Sequence, residues 1–288
     1  MRICLAGATG VIGRRLVPLL VAEGHQVTAL TRRPDRFATL RAAGAEPVVA
    51  DAFDRAGLAA AVAQAAPDVV VHQLTDLSAD DHGANAALRT EGTRHLVDAA
   101  LAAGARRMVA QSISWVYQAG DDPADESTPL DLSAQGERAR RVLSVAALEE
   151  AVAELPEWVV LRYGMLYGPG TWYAPDGGIA DQARAGRLTA DDQVTSFLHV
   201  DDAAAAAVQA LTWPNGAVNI CDDDPAPGRE WVPAFCAAVG APPPPQAPPG
   251  RPGWSRGANN THARKNLAWT PKHPSWRDGF RTMTTPPE

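Results

Sequence analysis

Three glycines at a fixed spacing carry the first chemistry in this sequence. Gly7, Gly10 and Gly13 form GxxGxxG, directly after a short apolar run and at the start of a helical apolar pattern. Backbone amides at a strand-turn-helix corner, backed by the positive end of a helix dipole, bind a pyrophosphate. Gly7 permits the tight turn, Gly10 lets phosphates approach the backbone, and Gly13 lets the helix close on the strand. The loop Gly7, Ala8, Thr9, Gly10, Val11, Ile12 and Gly13 is therefore a candidate dinucleotide cradle. The end of the next strand decides between dinucleotides, because an acid there accepts from a ribose 2′-hydroxyl and repels a 2′-phosphate. It reads Thr31, Arg32, Arg33. Two guanidiniums can clamp a phosphate through charge-assisted forks, so NADPH (NADP) is the expected cofactor. After the third strand Asp51 and Ala52 are expected at the cofactor, Asp51 either meeting the adenine edge or capping the following helix. Gln73, Leu74 and Thr75 at the end of the fourth strand, and Gln111 in the fifth, complete the expected cofactor set.

These groups need a scaffold, and the apolar periodicity supplies one. Strands are expected at 1–6, 26–31, 46–50, 68–73, 107–111 and 158–162, with helices at 11–23, 34–43, 54–65, 84–103 and 134–154 between them. Such alternation specifies an α/β fold: a Rossmann-type doubly wound parallel sheet with a small C-terminal substrate lobe. The expected division is residues 1–165 for the NADP-binding domain and 166–288 for the lobe, with a strand returning to the sheet from 195–222. Past residue 163 the pattern loosens into glycine-rich and proline-rich loops, one alanine-rich helix at 201–211, and a proline-dominated connector at 241–252.

Composition narrows the partners. With 288 residues, 46% hydrophobic and 20% charged, the chain can bury a full core. A net charge of -7 would repel a nucleic acid backbone, and no Lys/Arg stripe overrides it. No membrane span and no leader is expected. Three cysteines without CxxC spacing suit a reducing cytoplasm. The seven histidines show no zinc spacing, and neither a GxSxG elbow nor a Walker loop occurs.

The segments AGATGVIGRRL, EGTRHLVDAA, LRYGMLYGPG and FLHVDDAA, in that order, resemble the extended short-chain dehydrogenase/reductases, a family that includes epimerases and dehydratases. Within it the chain is similar to actinobacterial ketoreductases of aromatic polyketide (angucycline-type) antibiotic biosynthesis. The resemblance implies a nicotinamide near Tyr163, Gly164, Met165 and Leu166, a substrate held by the C-terminal lobe, and a homodimer through helices like that at 84–103. It also implies a Tyr-x-x-x-Lys pair whose Lys lowers the Tyr pKa for proton transfer. That pair is absent. None of Tyr117, Tyr163, Tyr167 and Tyr173 is followed by Lys four positions on, and the lysines are Lys265 and Lys272. Aligning Glu149 with the family's usual glutamate puts Arg141 and Val145 where Tyr and Lys belong. Aligning Tyr117 puts Ile113 at the family's serine, flanked by Ser112 and Ser114.

Hydride transfer needs positioning above all, and the cofactor brings the reactive bond. The expected activity is reduction of a polycyclic aromatic ketone by NADPH. Ser112, Ser114 or a hydroxyl of the substrate would steady the developing oxyanion, although Ser112 is equally placed merely to close its strand. Trp115, Tyr117, Tyr167, Trp172, Tyr173 and His199 are the candidate substrate wall. A catalytically silent NADPH-sensing regulator and a nucleotide-sugar epimerase or dehydratase are the alternative expectations.

Overall fold

The computed structural model describes residues 1–75 and 82–283. The strands β1 (Arg2–Ala6), β2 (Gln26–Thr31), β3 (Glu46–Val49), β4 (Val69–His72), β5 (Arg107–Ile113) and β6 (Glu157–Tyr163) alternate with helices α1 (Gly13–Ala22), α2 (Phe37–Ala42), α3 (Arg55–Ala65), α4 (His82–Ala87), α5 (Thr93–Ala102) and α6 (Gly136–Val152). The later elements are β7 (Met165–Tyr167), α7 (Gly178–Arg184), β8 (Val194–Thr195), β9 (Phe197–His199), α8 (Val200–Gln209), β10 (Gly216–Ile220), β11 (Ala226–Pro227), α9 (Gly228–Ala238), α10 (Thr261–Asn266) and α11 (Trp276–Thr282).

Seven strands form one sheet in the order β10-β6-β5-β4-β1-β2-β3. β1 pairs in parallel with β2 on one side and with β4 on the other, so the strand order reverses between β1 and β4. This is a doubly wound Rossmann sheet, and such a reversal opens a crevice at the carboxyl ends of the two strands. β4 reads VVVH and is buried throughout, as a strand covered on both faces must be.

The chain divides into two compact units. The first takes residues 1–112, 132–161 and 204–217. Its core packs Cys4 and Ala6 of β1, Val70 of β4, Leu96 and Val97 of α5, and Leu148 and Val152 of α6. The second is assembled from residues 113–131, 162–203 and 218–288. An aromatic cluster holds it together, with Tyr167, Tyr173, Phe197, Phe235, Trp276 and Phe280 meeting largely edge to face. The proline-rich connector is pinned there, since Ala190 N–H donates to Pro245 O and Ala247 N–H to Ala190 O.

The continuous helix expected at 84–103 is interrupted. Residues Leu88–Gly92 form a π-helical turn between α4 and α5. Thr93 Oγ1 donates back to Leu88 O, and Thr90 Oγ1 to Ala86 O and Ala87 O, the back-bonding by which threonines bend a helix. Among the described residues no helix is long and apolar enough to cross a membrane.

Candidate cofactor and active site

The crevice in the first unit is lined by the ends of four strands. Gly7, Thr9 and Gly10 follow β1, Thr31, Arg32 and Arg33 close β2, Asp51 and Ala52 follow β3, and Gln73, Leu74 and Thr75 follow β4. Its cavity volume is about 170 Å³. Gly7 has φ +90°, and a Cβ there would lie 2.4 Å from Gln73 O. A Cβ on Gly13 would lie 2.2 Å from Gly7 O. The loop is therefore closed to any side chain at both places, and a ligand meets bare backbone. Gly10 N–H donates to Gly7 O at 3.1 Å, which shapes the turn. Ile12 stands at the N-cap of α1, so no side chain takes the first-turn amides, while Ala8, Ile12 and Gly13 are buried and Val11 is half-buried. The amides of the glycine loop and the helix dipole suit a pyrophosphate, and the residues present fit a dinucleotide.

The basic turn is arranged unevenly. Thr31 Oγ1 accepts from Arg33 N–H at 3.1 Å. Arg33 is held by Asp35 at 3.1 Å, and this pairing draws the Asp35 carboxyl below its ordinary range. Arg32 is exposed and makes no hydrogen bond or ion pair among the described residues. Asp51 Oδ1 accepts from Phe53 N–H at 3.0 Å, and it is Asp54 that caps α3, accepting from Gly57 N–H. Of the two roles open to Asp51, helix capping thus falls to Asp54. Phe53 also lines the crevice. Its signal in the sequence was a large aromatic directly after Asp51 and Ala52.

Gln111 ties β5 to the crevice wall, its Nε2 donating to Leu74 O at 3.0 Å. Ser112 Oγ donates to Glu149 Oε1 at 2.8 Å. Arg141, Val145 and Glu149 fall at i, i+4 and i+8 on α6, so they share the face that meets the end of β5. Behind the wall His72 is buried. Its Nδ1 accepts from Leu74 N–H and its Nε2 faces Thr93 Oγ1 at 2.9 Å. Burial, helped by the charge of Arg89, pushes the His72 pKa down to about 4 and keeps the ring neutral.

The remaining candidate residues lie in the second unit. Ser114 is buried, with its N–H donating to Tyr163 O. Tyr163 OH donates to Ala203 O, and Gly164, whose N–H donates to Ile220 O, would press a Cβ 2.7 Å from Ser196 O. Met165 and Leu166 are half-buried in β7, which pairs with β9. Tyr117 is buried, donating to Asn219 Oδ1 at 2.5 Å and accepting from Arg162 at 2.9 Å. Tyr167 and Tyr173 belong to the aromatic core, Trp115 is half-buried, and Trp172 is 47% exposed. His199 Nδ1 accepts from Asp201 N–H, and its ring stacks on His273 at 3.7 Å. With Asp201 these two histidines bring three donor groups within 4.8 Å, a neighbourhood that sequence spacing did not show. Asp222 is buried and accepts from the N–H of Trp276, the first residue of α11, at 2.8 Å, while Ser275 is the N-cap of that helix, and burial pushes the Asp222 pKa up to about 8.

A glycine cradle at the switch point of a doubly wound sheet defines a dinucleotide-binding Rossmann protein. Residues 3–221 match the NAD dependent epimerase/dehydratase family, and the chain belongs to that family. A "3-diazoavenalumate denitrifying reductase" of Streptomyces sp is 48% identical over 305 residues, covering 97% of this chain and 99% of the relative. A UDP-glucose 4-epimerase of Mycolicibacterium smegmatis is 30% identical over 299 residues, covering 94% of each. The structure of a Thermus thermophilus UDP-glucose 4-epimerase in complex with NAD superposes with TM-score 0.78 at 24% identity, over 99% of this chain and 98% of that one.

Proposed function

We propose that this protein is an NADPH-dependent reductase whose substrate is an aromatic diazo compound, the diazo group leaving as dinitrogen. The observation that carries this reading is the face of α6 shared by Arg141, Val145 and Glu149: with Glu149 set on the family's glutamate, Arg141 and Val145 fall where its Tyr and Lys are expected. Reducing a carbonyl leaves an alkoxide that must be protonated, and that face offers no phenol to do it. The hydroxyl of Ser112 is already committed to Glu149. An arenediazonium asks for less. One hydride is taken up, the C–N bond gives way to a C–H bond, dinitrogen departs, and charge balances without a proton. The similarity to a denitrifying reductase over nearly the full length of both chains supports the same choice.

When bound, the reduced nicotinamide supplies that hydride. The protein's part is to hold and orient. Gly7 to Gly13 would take the pyrophosphate on backbone amides, Phe53 and Asp51 would flank the adenosine, and Arg32 would meet the 2′-phosphate, with Arg33 available once it leaves Asp35. The preference for NADPH rests on these two arginines and on the lack of an acid among Thr31, Arg32 and Arg33 at the end of β2.

The test is anaerobic incubation with NADPH and an aromatic diazo acid, reading loss of absorbance at 340 nm and formation of the hydrogen-substituted arene against an enzyme-free control. A polycyclic aromatic ketone, the substrate expected from sequence, is run in parallel. Denitrified product supports the proposal. Oxidation of NADPH with the ketone alone would replace it by a ketoreductase.

A further inference from the structure

Two arginines of the first unit stand apart from the rest. Arg89 sits in the π-helical turn, next to Leu88, which lines the cofactor crevice. Arg141 is on α6, against which that turn packs. Other arginines of the unit are either exposed, like Arg32, or paired with acids: Arg2 with Asp68, Arg55 and Arg94 with Asp98, Arg106 and Arg107 with Glu157. Arg89 and Arg141 are both half-buried, yet among the described residues neither guanidinium has a hydrogen bond or an ion pair. Arg89 feels Arg141, and Arg141 feels Arg138, with Glu137 one turn back as its attracting charge. Burial first, and the like charge of Arg141 second, bring the Arg89 pKa down to about 10, while Arg141 is lowered by burial and by Arg138.

Withdrawing a cation from water is costly unless an anion compensates it, and a second cation close enough to be felt adds to that cost. Planar guanidiniums match a carboxylate through paired N–H donors. The pyrophosphate already has its amide cradle at Gly7 to Gly13, and His72 is kept neutral by burial and by the charge of Arg89. The pair therefore asks for a different anion.

We infer that Arg89 and Arg141 form a receptor for a carboxylate on the substrate, so that the protein takes an aromatic acid and not its ester. The π-helical turn serves this receptor by carrying Arg89 toward α6, and the replacement of the family's Tyr by Arg141 exchanges a proton donor for an anchor. This assignment rests on the reductase reading for its substrate, but its test uses a ligand that is not turned over.

The protein loaded with NADP is titrated with 4-hydroxycinnamate and with its methyl ester, following tryptophan fluorescence. The unsubstituted protein should hold the acid at least about tenfold more tightly than the ester. Arg89→Gln and Arg141→Gln should each weaken the acid by roughly 10- to 100-fold, as expected for charge-assisted bonds, and leave the ester and the affinity for NADPH unchanged. Acid and ester held alike, or neither held, overturns the receptor without recourse to any variant. Loss of NADPH affinity in the Gln variants also overturns it, since the pair would then serve a cofactor phosphate. Acid selectivity with no turnover of a diazo acid would sink the diazo reading and leave the receptor standing.

Discussion

Replacing Gly13 by alanine puts one methyl group into the cofactor cradle, and the geometry fixes the sign of its effect. Helix propensity alone favours the change, because alanine at a helical position is worth about 0.5–1 kcal/mol over glycine. Against it, the new Cβ would lie 2.2 Å from Gly7 O and 2.7 Å from the backbone of Ala8. Ordinary contact begins near 3.4 Å, so the loop must open by more than 1 Å. Overpacking of this kind costs about 1–3 kcal/mol, and the atoms that must move are backbone with nowhere to yield. The net expectation is a loss of about 1–2 kcal/mol, or some 2–8 °C in melting temperature. NADPH affinity should fall at least about tenfold, because the displaced carbonyl of Gly7 is the one that receives Gly10 N–H and shapes the turn. Gly178, the first residue of α7, is the matched control, since its Cβ would meet nothing within 4 Å and its φ is not positive. Gly178→Ala should melt at or slightly above the parent temperature with cofactor binding intact. Both are measured by thermal unfolding and by NADPH fluorescence titration. If Gly13→Ala behaved like Gly178→Ala, the close approach of helix to strand would not be what forms the cradle.

Arg32→Ala removes the unengaged guanidinium of the basic turn and should weaken NADPH by about 10- to 100-fold while moving NADH less than threefold, read from dissociation constants for both cofactors. An unchanged ratio would dismiss Arg32 as the 2′-phosphate ligand. Asp222 has its pKa raised from 3.8 to about 8 by burial, so between those values the folded chain holds a proton that the unfolded chain has released. Its contribution to stability should therefore decline as pH rises from about 4 to 8, and the melting-temperature difference between the parent and Asp222→Asn should follow that slope. A difference independent of pH would refute the assignment. Ser112→Ala removes one donor to Glu149 and should cost about 1 kcal/mol of stability. Under the diazo reading kcat for both Ser112→Ala and Ser114→Ala should stay within a few-fold, and a loss of a hundredfold in either would restore the serine as an oxyanion donor.

What could be read from the sequence was local. The buried runs of β1 and β4, the glycine spacing between β1 and α1, and Thr31-Arg32-Arg33 at the end of β2 each announce themselves within a few residues, and the crevice collects them as neighbours. The role of Asp51 stayed open because Asp51 and Asp54 are both plausible caps by type, and only the bond from Gly57 N–H separates them. The π-helical turn was not legible, since two threonine hydroxyls decide it and each could equally have faced solvent. Arg89 looked like one arginine among many on an amphipathic helix. Its distinction lies in the fold: among the described residues no carboxylate pairs with it, and the charge it feels is that of Arg141, 52 residues further on. The meeting of His199 with His273 is of the same kind, a pairing that no window of sequence contains.

The three-part make-up of the second unit has a consequence during synthesis. The first unit has all its chain once residue 217 is made, whereas the second still lacks residues 218–288. At roughly 5–20 residues per second those arrive several seconds later. Until then Tyr167, Tyr173 and Phe197 have no Phe235, Trp276 or Phe280 to pack against. The ribosome thus carries a nascent chain with a finished nucleotide cradle and an aromatic half-core in waiting. Proteolysis of chains stalled at residue 225 should cut within 162–203, and the same segment should resist once residue 283 has emerged.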